Sequence, residues 1–327
     1  MPDLRIPFAI DNEDRLYSPA TAERGKDYLC PGCREFVIFK QGDVRVAHFA
    51  HKVSDICNQE TITHKTAKML IHRVVQEWKS GKSSQPTLQR KCQICDASIN
   101  QALPEKVDSA VLEYRLRDGF IVDVALMVEE IAQAAVEIRV THAVDKIKTR
   151  RLSIPFIELS GYEIIENPFV WKPIIDNFKP LNCEKCRSIY SKFQDKAQKI
   201  AKANKIELPT AYYRHGFCEC WKCKREIIVF AWPKDGMHDR SDPKIKPPPK
   251  TVRFSYSNTV GDKYWVNTCP YCNRIQGDFY LYSEPDGPFF GINLEDDSPT
   301  AAAFTRDMMK IARYAAQIES LEDPNHG

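Results

Sequence analysis

The sequence predicts an α/β (α+β) protein: a mixed sheet flanked by helices, with an N-terminal zinc-finger module before it and a C-terminal zinc-ribbon module after it. Two short stretches, Phe120–Leu126 and Ala134–Thr141, alternate apolar and polar residues at period two, as strands in a sheet do. Between Glu60 and Lys79, Ala67, Leu70, Ile71, Val74, Val75 and Trp78 recur at helical spacing and make an apolar stripe for packing on that sheet. Ten of the twelve cysteines form five CxxC pairs: Cys30/Cys33, Cys92/Cys95, Cys183/Cys186, Cys220/Cys223 and Cys269/Cys272.

At 327 residues the chain is long enough for two or three domains. Its 43% hydrophobic and 28% charged residues are those of a folded, water-soluble protein. No apolar run reaches the length of a membrane helix, and the first residues lack the apolar core of a signal peptide, so a cytoplasmic protein without a membrane partner is expected. In that compartment thiols stay reduced, and CxxC pairs point to metal rather than disulfides. Two such pairs supply the four thiolates of a tetrahedral zinc site, which gives about three structural zinc ions per chain. The net charge of +3 permits local nucleic-acid binding without requiring it.

Taken in order, residues 1–59 form the zinc-finger module. A strand is expected at Leu4–Ile10, then the knuckle Tyr28-Leu-Cys-Pro-Gly-Cys33, then a hairpin of Glu35–Phe39 and Val44–His51. Cys30, Cys33 and Cys57 with one histidine, His48 or His51, would make a Cys3His site. Residues three apart on a strand face opposite ways, so only one of the two histidines is aimed at the metal unless the strand ends between them.

Residues 60–180 form the sheet domain. Glu60, His64 and Lys68 recur every four residues at the edge of the helical stripe, either aimed into the sheet or forming a solvated charge ladder. A polar loop and an insertion at 80–106 carry Cys92 and Cys95. Strands follow at Ser109–Arg115, Gly119–Val128 and Ala134–Thr141. His142–Leu152 reads as a helix bearing Lys146, Lys148, Arg150 and Arg151, and Ile154–Leu159 as a further strand. The segment Trp171–Phe178 leads to Cys183 and Cys186, whose nearest partners are Cys92 and Cys95; other pairings remain open.

Residues 181–297 combine a lysine-rich amphipathic helix (Ser188–Ile206) with the ribbon. Its lysine face is either solvated or set against phosphate. In the ribbon, the knuckles at Cys220/Cys223 and Cys269/Cys272 each lead into a strand, Glu226–Trp232 and Asp278–Tyr282, with Val252–Tyr256 and Tyr264–Val266 between them and Cys218 spare. Residues 298–327 form a C-terminal helix (Thr300–Ser320) and a polar tail.

The candidate site lies on the paired strands. Val136, Ile138 and Val140 share one face; Glu137, Arg139 and Thr141 share the other, while Asp123 stands opposite Val122, Val124 and Leu126. Each strand thus carries a carboxylate into apolar surroundings, where charge is costly unless paired or bound to metal. A divalent cation held by Asp123 and Glu137 explains this pattern. The alternative is a solvated polar face on which Glu137 and Arg139 are ordinary surface charges.

Residues 20–160 resemble the competence protein CoiA-like nuclease family of the PD-(D/E)xK superfamily. The resemblance rests on Tyr28-x-Cys-Pro-x-Cys33, His48-Phe-Ala-His51, Glu60-x3-His64-x3-Lys68, Asp123, Glu137-x-Arg139 and Val140-Thr-His-Ala-Val-Asp-x-x-Lys148. It implies a Mg2+- or Mn2+-dependent deoxyribonuclease in which Asp123, Glu137 and the Ile138 carbonyl bind the catalytic metal. Glu60 and His64 would stand beside it and Lys68 would contact phosphate. The implied partner is DNA, whether duplex, single-stranded or branched, and a homodimer would serve to cut both strands. The family's last motif position is usually lysine. Arg139 cannot act as a base there, so either the metal alone activates water or Lys68 or Lys146 reaches in. The rival readings are a catalytically inactive zinc-ribbon nucleic-acid-binding protein and a protein-docking adaptor.

Overall fold

The computed structural model describes residues 6–42, 46–52, 57–142, 146–234, 236–292 and 300–322. It is a mixed α/β structure with several small sheets and few helices. Two compact units form: residues 1–91 with 98–180, and residues 92–97 with 181–327. The expected segments 1–59 and 60–180 fall in the first unit, apart from the loop 92–97, which belongs with the expected segments 181–297 and 298–327. No helix among the described residues is long and apolar enough to cross a membrane.

The first unit opens with a five-stranded sheet in the order Leu16–Tyr17, Ala9–Ile10, Tyr28–Leu29, Phe36–Lys40, His48–His51. Of the expected strand at Leu4–Ile10, residues 4 and 5 lie outside the described ones; Ala9–Ile10 is a strand and Ile6 is bridged separately to Phe49. Tyr28, Val37, Phe49 and Ile62 close the core beneath this sheet. Ile62 belongs to the long helix Gln59–Lys79, which starts where Asn58 Oδ1 accepts the Thr61 N–H at 2.7 Å.

That helix buries Ala67, Leu70, Ile71 and Val75 against a second five-stranded sheet. Its order is Pro173–Asp176, Phe156–Ser160, Ile131–Arg139, Ile121–Val128, Ser109–Arg115. All neighbours are antiparallel except Ile131–Arg139 and Phe156–Ser160, which run parallel in a register that sets Glu137 beside Glu158. Val124, Leu126, Val136, Ile138, Ile157 and Leu159 pack with the long helix, whereas Ala125, Met127, Ala135 and Phe156 join Leu116 in a separate cluster. Between these strands the chain forms the helix Lys146–Arg151, shorter than the expected His142–Leu152; residues 143–145 lie outside the described ones. The insertion at 80–106 contains a hairpin, Thr87–Lys91 with Ser98–Ala102, to which Val170–Trp171 adds a parallel strand.

The second unit contains the helix Glu184–Asn204, the hairpin of Arg214–Glu219 and Glu226–Ala231, and a three-stranded sheet of Val252–Ser257, Asp262–Thr268 and Ile275–Gln276. Its C-terminal helix, Ala301–Glu322, contributes Phe304, Met308, Ile311 and Ala312 to the core. The Asp278–Tyr282 stretch, expected as a strand, is instead the short helix Asp278–Ser283. Its aromatic residues suit a strand, but Asp278 stands in the first turn, where a carboxylate suits the free N–H groups, and Leu281 turns into the core while Phe279 stays exposed.

Candidate functional site

The site residues cluster where the central sheet splays. Antiparallel pairing ends at Val124 and Val136, and one step further the Asp123 carboxylate replaces the ladder. Its Oδ2 accepts the Ile138 N–H at 2.8 Å and lies 3.1 Å from His64 Nε2. Lys68 Nζ stands 3.5 Å from Asp123 Oδ1 and donates to Glu113 Oε1 at 2.8 Å. Glu113 sits at φ 50, a left-handed conformation uncommon for a side chain with a Cβ. Burial alone would raise the Asp123 carboxyl, but the His64 hydrogen bond and charge, the Ile138 N–H and Lys68 outweigh it and hold the pKa below the usual range.

Glu137 is buried, only 3% exposed. Lys148, on the helix Lys146–Arg151, donates to its Oε2 at 2.7 Å, while its Oε1 is buried with no hydrogen-bond partner. Burial first, and then the neighbouring Asp123 charge, push its pKa up to about 7 against the pull of Lys148. Beside it, Glu158 is fully buried, and Arg139 Nη1 lies 3.9 Å from Glu158 Oε2. Glu60 is exposed and accepts a hydrogen bond from the Thr141 hydroxyl.

Of the residues singled out in the sequence, Asp123, His64 and Lys68 thus meet directly, and Glu137 adjoins them. Arg139 turns to Glu158 and Glu60 to Thr141. The lysine found on the carboxylates besides Lys68 is Lys148; the side chain of Lys146 lies outside the described residues. Among the described residues, Asp123, Glu137, Glu60 and His64 do not form a group of three ligand atoms lying within 4.8 Å of one another. Sequence reading missed Glu113 and Glu158 as site neighbours. Glu158 carries the signal that singled out Asp123, an acid within an apolar strand, Phe156-Ile-Glu-Leu159.

The raised Glu137 carboxyl has a consequence for stability. Between pH 4.5, its ordinary value, and about 7, the folded chain keeps a proton that the unfolded chain has released. This group's contribution to stability therefore falls as pH rises through that window, by on the order of 3 kcal/mol in total. Without divalent ions, Glu137→Gln should remove this slope, and its melting temperature relative to wild type should climb between pH 4.5 and 7. A constant offset across the window would show that Glu137 is not held neutral. Lys148→Met should destabilise by about 3 kcal/mol at pH 8, because it strands a buried carboxylate, and by less at pH 5.

Among the described residues, three groups of side chains could each hold a metal ion: Cys30, Cys33, His51 and Cys57; Cys92, Cys95, Cys183 and Cys186; and Cys220, Cys223, Cys269 and Cys272. Zinc–sulfur bonds at tetrahedral angles separate neighbouring sulfurs by about 3.8 Å. The observed separations are 4.0 Å for Cys30–Cys57, 3.6 Å for Cys95–Cys183, 3.6 Å for Cys220–Cys272 and 3.7 Å for Cys223–Cys269. All twelve cysteines are free thiols, so the spacing owes nothing to disulfides.

His51 Nε2 lies 3.8 Å from Cys33 Sγ, whereas His48 is absent from the group and its Nδ1 lies 2.9 Å from the Val46 carbonyl oxygen. Strand alternation separates them, which removes His48 from the candidate ligands. Gly32 allows the first knuckle to close, since a Cβ there would meet Cys57 Sγ at 2.7 Å.

Backbone N–H groups point at several sulfurs: Gly32 at Cys30, Cys183 at Cys92, and Tyr271 at Cys269. At Cys92 and Cys220 such bonds overcome the effect of burial and draw the thiols down to about 6, while burial pushes Cys57, Cys186 and Cys269 up to about 12. Metal binding must displace the protons on these high-pKa thiols, so zinc affinity should rise with pH.

No curated protein and no solved structure matches the chain. Residues 16–60, from the second short strand through the histidine pair to Glu60 of the long helix, match the family described as competence protein CoiA, N-terminal domain.

Proposed function

We propose that this chain is a metal-dependent DNA nuclease of the PD-(D/E)xK kind, in which the lysine absent from the Glu137-x-Arg139 strand is supplied by Lys148. The observation that carries this reading is the buried Glu137–Lys148 pair beside the ionised Asp123. The family match at residues 16–60 agrees with it. Two carboxylates in apolar surroundings, one with an unpartnered buried oxygen, fit a hard divalent cation. Asp123, Glu137 and the Ile138 carbonyl would hold Mg2+ or Mn2+, which when bound polarises the scissile phosphate and acidifies water.

The chain's own groups complete the chemistry. Lys68 at Oδ1, with His64 and the Ile138 N–H both at Oδ2, keeps Asp123 ionised and oriented. Lys148 lies where it can place a positive charge on the phosphate while keeping Glu137 in register. Arg139, tied to Glu158, contributes charge and no proton transfer. Zinc at the cysteine groups is structural, because four protein ligands leave no open position.

The test is cleavage of plasmid, linear duplex, single-stranded and junction DNA by zinc-replete protein, with Mg2+, with Mn2+ and with neither. Metal-dependent cutting supports the reading. One feature favours a rival: lysines stand on both carboxylates and an arginine holds the usual lysine position, as in a site converted from cleavage to binding. On that reading no substrate is cut with either ion, while salt-sensitive DNA binding persists.

A further inference from the structure

The second unit exposes aromatic rings where the fold has no use for them. Trp221, Tyr256 and Phe279 are 58%, 55% and 58% exposed and line one concavity of about 600 Å³. That volume is within the roughly 300–1,000 Å³ of ordinary ligand sites. The Trp221 indole N–H donates to the Ile275 carbonyl at 2.8 Å, so the ring is held in place rather than free to fold back into the core. Trp221 lies inside the knuckle Cys220–Cys223, Tyr256 on the strand Val252–Ser257 and Phe279 on the short helix Asp278–Ser283. The knuckle and the short helix therefore present rings to one hollow, while Tyr256, on the strand face opposite Arg253 and Ser255, stands at its border.

Charge decides what the hollow accepts. Arg253 and Arg274, both exposed, line it. Arg253 is oriented by donating to Asn273 Oδ1 at 2.9 Å and to the Lys250 carbonyl at 3.2 Å. The carboxylate among the lining residues, Asp278, is fully buried and bound by Lys234 Nζ at 2.6 Å. A neighbouring concavity shares Trp221 but is lined by Glu219, Glu226, Asp286 and Glu319 against Lys196 and Lys224, which disfavours a polyanion. The Trp221 ring thus separates an acidic hollow from a basic one.

We propose that the basic hollow binds single-stranded DNA, with unpaired bases stacking on Trp221 and Phe279 and phosphates held by Arg253 and Arg274. Exposed rings interleaved with guanidinium groups match a strand whose base faces are open and whose backbone is anionic. A duplex hides those base faces, and an apolar peptide would leave both arginines unanswered. The choice of DNA over RNA rests on the nuclease reading; the surface itself does not depend on cleavage.

The test is fluorescence anisotropy of the full chain carrying Asp123→Asn, with labelled oligo-dT, a hairpin duplex and oligo-rU, at several salt concentrations. The expected result is tighter binding of oligo-dT than of duplex or oligo-rU. Trp221→Leu and Phe279→Leu should each weaken oligo-dT binding by roughly five- to a hundredfold, leave duplex binding unchanged and keep the zinc content. Trp221→Phe should retain most of the affinity. Arg253→Ala and Arg274→Ala should each flatten the salt dependence by about 0.7 in slope. Unchanged oligo-dT affinity in both leucine variants at full zinc content would overturn the proposal, as would an equal loss on duplex or a preference for oligo-rU. Wild type that cuts nothing, yet loses oligo-dT binding with Trp221→Leu, would defeat the nuclease reading and leave this surface standing.

Discussion

Glu137→Gln and Asp123→Asn should each lower Mg2+-dependent DNA cleavage by roughly a thousandfold or more, the scale of losing a main electrostatic group at a reacting centre. Each substitution is nearly isosteric and removes one charge where two carboxylates would share a cation. Glu137 is buried and Asp123 largely so, and in such surroundings no solvent stands in for the missing charge. The two should differ in stability. Asn at position 123 can still accept the Ile138 N–H but loses its ion pair with Lys68, whereas Gln at 137 relieves a carboxyl already raised to about 7. Lys148→Met should lower the rate about a hundredfold, and Arg139→Lys should leave it within a few-fold, since Arg139 faces Glu158 rather than Glu137. Cleavage rates under saturating Mg2+ with zinc content held constant would check this. Retained cutting in Glu137→Gln would rule out that carboxylate as a metal ligand.

The pattern of strands and the long helix was legible because burial writes itself into sequence at periods two and 3.6. Ser109–Arg115 was legible to the residue, and Gln59–Lys79 to one residue at its start. What failed was local. Asp278-Phe-Tyr-Leu-Tyr282 has the composition of a strand, yet the position of Asp278 at a helix start outweighed it. Ser98–Ala102 is largely exposed, and in Thr87–Lys91 one of the two buried positions is Arg90, paired with Asp176, so neither strand shows an apolar alternation. At the site, acids within apolar strands pointed to Asp123 and Glu137, and the four-residue spacing of Glu60, His64 and Lys68 aimed that ladder at the pair; His64 and Lys68 meet Asp123, whereas the exposed Glu60 meets Thr141. Lys148 could not be assigned to Glu137 from spacing, because it arrives from a separate helix beyond residues 143–145. Glu158 required the parallel register with Glu137, which no local pattern encodes.

The largest stability effect should come from the cysteine groups. A structural zinc site contributes about 10–16 kcal/mol of apparent binding free energy near pH 7, against the roughly 5–15 kcal/mol that holds a typical domain folded. In the second unit Cys220 and Cys269 sit in the same core as Phe304, Met308 and Ile311. Cys269→Ser should therefore lower the zinc content from three per chain to two and leave the second unit open to protease, with the Asp123 site intact. In the first unit Cys57 immediately precedes Asn58, which caps the long helix, and Lys65 Nζ reaches the Gly32 carbonyl at 2.8 Å inside the Cys30–Cys33 knuckle. The helix that carries Glu60, His64 and Lys68 is thus tied to the metal group at its start. His51→Ala should lose one zinc and reduce cleavage without touching a carboxylate, whereas His48→Ala should keep all three. Elemental analysis with cleavage assays separates these outcomes: a His51→Ala protein with three zinc ions would show that the fourth ligand has been misassigned, and a zinc-free chain that still unfolds cooperatively at the wild-type temperature would show that these groups do not hold the fold.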